Sequence, residues 1–76
     1  MKTTLRNVNE MDISDFSVRQ EDYNTMLELQ EAGTEVEVDE IETATFGYYD
    51  VILPNGRVVY ALSWYHLNGF KSPFTK

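Results

Sequence analysis

Residues 48–67 read Tyr48-Tyr49-Asp50-Val51-Ile52-Leu53-Pro54-Asn55-Gly56-Arg57-Val58-Val59-Tyr60-Ala61-Leu62-Ser63-Trp64-Tyr65-His66-Leu67. Two β-branched and aromatic runs flank Pro54-Asn55-Gly56. Asn-Gly between apolar runs signals a hairpin, because both residues tolerate the positive φ that a type I′ turn needs twice. A two-residue Asn55-Gly56 loop sets Leu53 opposite Val58, Val51 opposite Tyr60 and Tyr49 opposite Leu62. Alternation then places those six on one apolar face and Tyr48, Asp50, Ile52, Val59 and Ala61 on a mixed one. A three-residue loop starting at Pro54 would move this register by one.

Upstream, Ser17 followed by Gln20 reads as a capping box, and Glu21 and Asp22 suit the positive end of a helix dipole. A helix is expected over about 18–32. Tyr23, Met26, Leu27 and Gln30 share one face, with Leu29 and Val18 on its flank, and Glu21, Asn24, Glu28 and Glu31 lie opposite. Gly33 is the αL residue that ends it. Residues 34–42 begin as a half-buried strand, Val36 and Val38 one way and Glu35, Glu37 and Asp39 the other, with a bulge or stop after Glu40. Residues 1–9 read as a loose tail or a short edge strand, and 10–14 alternate weakly, as a strand would. Ser63 to His66 suits one 3₁₀ turn, and Asn68 to Lys71 a last short strand. The fold class expected is α+β: one amphipathic helix packed on a small antiparallel sheet or barrel, a single domain over 1–76 with its β unit over about 34–71.

The run Gly56-x-x-x-Tyr60-x-Leu62-Ser63-Trp64-Tyr65 resembles the end of an SH3-type barrel, where a strand with Gly and an aromatic leads through a 3₁₀ turn to a final strand. Leu62 stands where that family has Pro, and Trp64 where it has Asn. Gly33 to Val38 is similar to a strand entering such a barrel. The resemblance spans about residues 33–71 and implies a small barrel. The Ala-Leu-Tyr-Asp-Tyr segment, the paired tryptophans and the turn proline of the peptide groove are missing, so a proline-rich ligand is not implied, and the fold alone names no function.

The chain has 76 residues, 42% of them hydrophobic and 25% charged, a globular composition near the lower size at which a core alone holds a fold. Without cysteine it has neither disulfides nor a thiolate zinc site, which fits a reducing, cytoplasmic setting. No apolar run approaches a membrane span. All thirteen carboxylates fall between Glu10 and Asp50, with Arg19 the sole base among them; that span carries −12, and the five remaining bases return the total to −7. Such a surface repels a polyanion, so direct nucleic-acid binding is not expected.

Ser63 and His66, nearly eclipsed in a 3₁₀ turn, with Asp50 as a third member, are the only set suggestive of nucleophilic catalysis. No oxyanion hole or cleft accompanies them, and the expectation is a non-enzyme whose His66 caps or packs. Alternating Glu35, Glu37 and Asp39 lie in a line roughly 6–7 Å apart, too spread to wrap one metal ion, so no cofactor is expected. Lying side by side, the helix trio Glu21, Glu28, Glu31 and the strand trio Glu35, Glu37, Asp39 would form an anionic band that steers basic partners, with Tyr48, Trp64 and Phe70 adding a hydrophobic spot. In style this resembles small acidic phage or mobile-element proteins that inhibit host nucleases, restriction enzymes or CRISPR effectors by imitating DNA. The expectation is thus an acidic protein-binding module. The alternative is a structural or assembly protein that pairs through Tyr48, Ile52, Val59 and Ala61 as a homodimer or within a larger particle.

Overall fold

The computed structural model describes residues 1–16, 18–39 and 47–70. Strand β1 (Lys2–Thr4), a 3₁₀ turn (Val8–Glu10), the one-turn helix α1 (Ile13–Phe16) and helix α2 (Gln20–Ala32) precede strands β2 (Glu35–Asp39), β3 (Tyr48–Ile52) and β4 (Val58–Ser63) and a second 3₁₀ turn (Trp64–His66). The strands form one open antiparallel sheet in the order β1-β2-β3-β4. This is the expected α+β fold. Of the two readings of residues 1–9, the short edge strand is the one found; the weak strand expected over 10–14 is instead the end of a 3₁₀ turn and a helical turn.

Helix α2 ends as expected on Gly33 in the left-handed region, whose N–H reaches the Gln30 carbonyl. It starts two residues later than expected. Arg19 is the N-cap, with no side-chain cap bond, while Ser17, the expected cap, lies outside the described residues. Met26 is wholly buried, and Tyr23, Leu27, Leu29 and Val18 pack against the core. Gln30 on the same face accepts the Val8 N–H, so this polar residue on an apolar stripe ties α2 to the first 3₁₀ turn. The core joins Met26 to Val36, Val38, Val51, Leu53, Val59 and Leu62 of the sheet, and to Leu5, Val8, Met11 and Leu67. Each such side chain contributes roughly 1.5–3 kcal/mol by leaving water. Val36 and Val38 alternate with exposed or half-exposed neighbours, so α2 covers one face of the sheet only.

The hairpin departs from the two-residue loop. Leu53 donates to the Arg57 carbonyl (2.8 Å) and Gly56 to the Leu53 carbonyl (2.9 Å), which makes a three-residue loop, Pro54-Asn55-Gly56. Pro54 is the cause. A two-residue loop would set it opposite Arg57 on a ladder where it has no N–H to give, whereas position i+1 of a type I turn suits its fixed φ. Gly56, at φ +88°, then supplies the left-handed residue that follows such a turn. Val51 accordingly pairs with Val59 and Ile52 with Val58, not Val51 with Tyr60; beyond a bulge the expected pairing of Tyr49 with Leu62 is restored. Tyr60 and Ala61 together face Asp50, and Ala61 adopts φ +55° while giving its N–H to Asp50 Oδ1 (3.0 Å). Val59 therefore points into the core and Tyr60 is 70% exposed, the reverse of the two-residue-loop reading.

Ser63 caps the second 3₁₀ turn, accepting the Tyr65 N–H. The chain then returns beside β1: Leu67 bridges to Leu5, Arg6 donates to the His66 carbonyl and Asn68 to that of Thr4. Arg6 fastens the seam, its guanidinium reaching the carbonyls of Tyr65 and Phe70 at 3.1 Å each. A last strand was expected over 68–71; instead a single bridge at Leu67 is followed by a turn at Asn68 and Gly69, and Lys71 and the bulge anticipated after Glu40 lie outside the described residues.

Candidate functional site

Because α2 covers one face of the sheet, the opposite face is left bare among the described residues. Alternation places on it Glu35, Glu37 and Asp39 of β2, Tyr48, Asp50 and Ile52 of β3, and Val58 and Tyr60 of β4. Glu37 stands between Lys2 on β1 and Ile52 on β3, and Asp39 stands directly opposite Asp50. Like charges in such positions are destabilising. Asp50 is partly compensated by the Ala61 N–H, and Glu37 by the amino-terminal ammonium at 3.0 Å; Glu35 and Asp39 remain exposed. The outcome is an apolar and aromatic group of Tyr48, Ile52, Val58 and Tyr60 with Asp50 set among them and Glu35, Glu37 and Asp39 along one side.

Glu21, Glu28 and Glu31 are exposed as expected, but on the side of α2 that faces away from the sheet. The core separates the two carboxylate trios, and the single anionic band expected from the sequence resolves into two surfaces pointing in opposite directions. The aromatic trio also divides. Tyr48 pairs with Ser63, and Trp64 donates its backbone N–H to the Gly47 carbonyl (2.7 Å), so Tyr48 and Trp64 are neighbours; Trp64 meets Tyr65 edge-on at 5.7 Å. Phe70 lies edge-on against Tyr49 at 4.7 Å, on the inner side. Tyr60 is the surface residue that the sequence reading placed inside, and Pro54 is the signal that would have found it.

Ser63, His66 and Asp50 are engaged separately. Ser63 Oγ caps the turn, Asp50 holds Ala61, and His66, 3% exposed, sets Nδ1 3.3 Å from the Arg6 carbonyl. Burial pushes the His66 imidazole below its usual range, against the opposing pull of the Arg6 and Asn7 backbone and of Glu10. At the start of α2, buried Asp22 accepts two bonds from Arg57, from Nε and Nη2 at 3.2 Å each, a bidentate fork that holds the Arg57 guanidinium further above its already high range. Among the described residues no three His, Cys, Asp or Glu side chains converge as metal ligands, and no helix is long and apolar enough to cross a membrane. Comparison with protein-family models, with curated proteins and with solved structures returned no match, so the functional reading stands on these residues.

Proposed function

We propose that this chain is a non-enzymatic protein-binding module whose bare sheet face docks on a basic, nucleic-acid-binding surface of another protein. The observation that carries this reading is the Asp39–Asp50 pair beside Glu35 and Glu37. A like-charged pair across two strands costs folding stability, and a cationic partner relieves that cost. Carboxylates spaced by alternate residues give a regular row of anions, which supports imitation of a phosphate ladder, and Tyr48, Ile52, Val58 and Tyr60 supply the apolar contact that converts charge attraction into a specific interface. A host nuclease, restriction enzyme or CRISPR effector in the cytoplasm is the class of partner that such a face suits. The helix trio lends long-range field without touching the partner. The return of the chain beside β1 after a 3₁₀ turn supports the likeness to an SH3-type barrel, as part of the same proposal.

The test is capture of a partner from bacterial lysate by the immobilised chain at low and high salt. Reversal of Glu35, Glu37 and Asp39 to Lys abolishes capture while the circular dichroism spectrum is unchanged, and raised salt weakens it. Capture indifferent to both sinks the reading. The assembly alternative draws on the exposure of Tyr60, yet a homodimer through this face would bring two acidic borders together, and Val59, one of its expected contacts, is buried in the core. A tight dimer in sedimentation would favour it.

A further inference from the structure

Beside β4 runs a groove of about 290 Å³, lined by Val18, Arg19 and Asp22 on one side and by Arg57, Val58, Val59 and Tyr60 on the other; the bare sheet face includes Val58 and Tyr60 but not the helix side of this groove. β4 is the outer strand of the sheet. Counted from the Leu53–Arg57 bond, the alternation of an antiparallel ladder turns the backbone of Val58, and of Tyr60 beyond it, away from β3 and toward the groove. The bulge at Tyr60 and Ala61 ends this straight edge after three residues. Bulges guard edges against open-ended pairing, so only a short segment fits.

Two of the chain's six Lys and Arg side chains line this groove. Arg57 neutralises Asp22 through Nε and Nη2, which fixes its guanidinium and leaves Nη1 outside the fork. Arg19 is exposed and has no ion pair with a described residue. The groove is lined by two guanidiniums and one carboxylate, Asp22, with Glu21 near enough to act on Arg57, in a chain of net −7. We infer that this groove binds a short extended peptide segment carrying a carboxylate. The segment adds a strand along Val58–Tyr60, sets its apolar side chains beside Val58 on the open face, and offers its alternating carboxylates to Arg19 and Arg57 on the helix side. Main-chain pairing supplies the affinity in such additions and alternate side chains the selectivity.

The probe is the capped peptide acetyl-Val-Glu-Val-Glu-Val-amide, titrated into the ¹⁵N-labelled full chain. The expected result is saturable movement of the Val58 and Tyr60 amide resonances with a dissociation constant below about 1 mM. Arg19→Glu, at an exposed position, weakens binding by about three- to tenfold. A peptide N-methylated at its central amide, which leaves the protein untouched, no longer binds. Equal binding of the Lys-for-Glu peptide, indifference to the N-methyl group, or movement confined to the Tyr48–Ile52 face each overturns the inference. The groove and the acidic face share Val58 and Tyr60 but no charged residue, so Arg19→Glu reports on the groove alone, and failure here leaves the docking proposal standing.

Discussion

Replacing Ala61 with Gly should stabilise this protein, against the usual penalty for glycine in a strand. Ala61 is held at φ +55° by the bulge, a conformation that costs a non-glycine residue roughly 1–2 kcal/mol. Glycine removes that strain but adds freedom to the unfolded chain, worth about 0.4–1 kcal/mol. The Ala61 methyl is on an exposed residue, so little burial is lost, and the N–H given to Asp50 is retained. The net expectation is a gain of about 0.5–1 kcal/mol from these two terms, which raises the melting midpoint by about 2–8 °C in a domain of this size. Urea denaturation followed by circular dichroism gives the free energy directly, provided the slope is unchanged. Ala61→Val, with a β-branched side chain at positive φ, should fall on the other side of wild type. A loss of about 0.5–1 kcal/mol in Ala61→Gly, the ordinary cost of glycine in a strand, would refute the bulge. The restored pairing of Tyr49 with Leu62 would fall with it.

Met26→Ala, which empties the wholly buried anchor of α2, should cost about 2–5 kcal/mol in denaturant titrations, a large share of what so small a domain holds in reserve. Arg57→Ala leaves the buried Asp22 carboxylate without its fork, so it should lower the thermal midpoint more than the paired change Asp22→Leu with Arg57→Met, because removing one partner strands a charge and removing both does not. The folded-state pKa of His66 lies below the unfolded value, so the unfolded chain takes up the proton first as pH falls. Stability should be fully present above about pH 6.5 and decline as the pH drops toward the folded pKa. His66→Gln should flatten this slope between about pH 6.5 and 5, before most carboxylates titrate.

The helix was legible because its stripe of Tyr23, Met26 and Leu27 and its stop at Gly33 are local signals. The same is true of β2, where the alternation of Val36 and Val38 with carboxylates admits one reading. The hairpin register was not settled by Asn55-Gly56, since two turn types compete for that dipeptide. The arbiter is the missing N–H of Pro54. The bulge was harder still, as nothing in Tyr60-Ala61 marks a left-handed residue, and it depends on the Asp50 carboxylate across the ladder. Both carboxylate trios point away from the core, with Glu37 half-buried, but whether they share a surface depends on which face of the sheet α2 covers. That choice is tertiary, made by Met26 meeting the Val36, Val38 and Val51 side. The seam of Arg6 with Tyr65 and Phe70 joins residues about sixty positions apart, and no local pattern announces it.

The division of charge between two opposite surfaces offers the most direct test of docking through the sheet. Two variants of the same formal charge are compared: Glu35, Glu37 and Asp39 all to Lys, and Glu21, Glu28 and Glu31 all to Lys, each verified as folded. Captured partner is then measured at fixed ionic strength. The sheet variant should lose capture altogether, and the helix variant should retain it with slower association. Equal loss in both would mean that net charge alone attracts the partner, and loss in the helix variant only would place the contact on the far side of the molecule; either result contradicts the account.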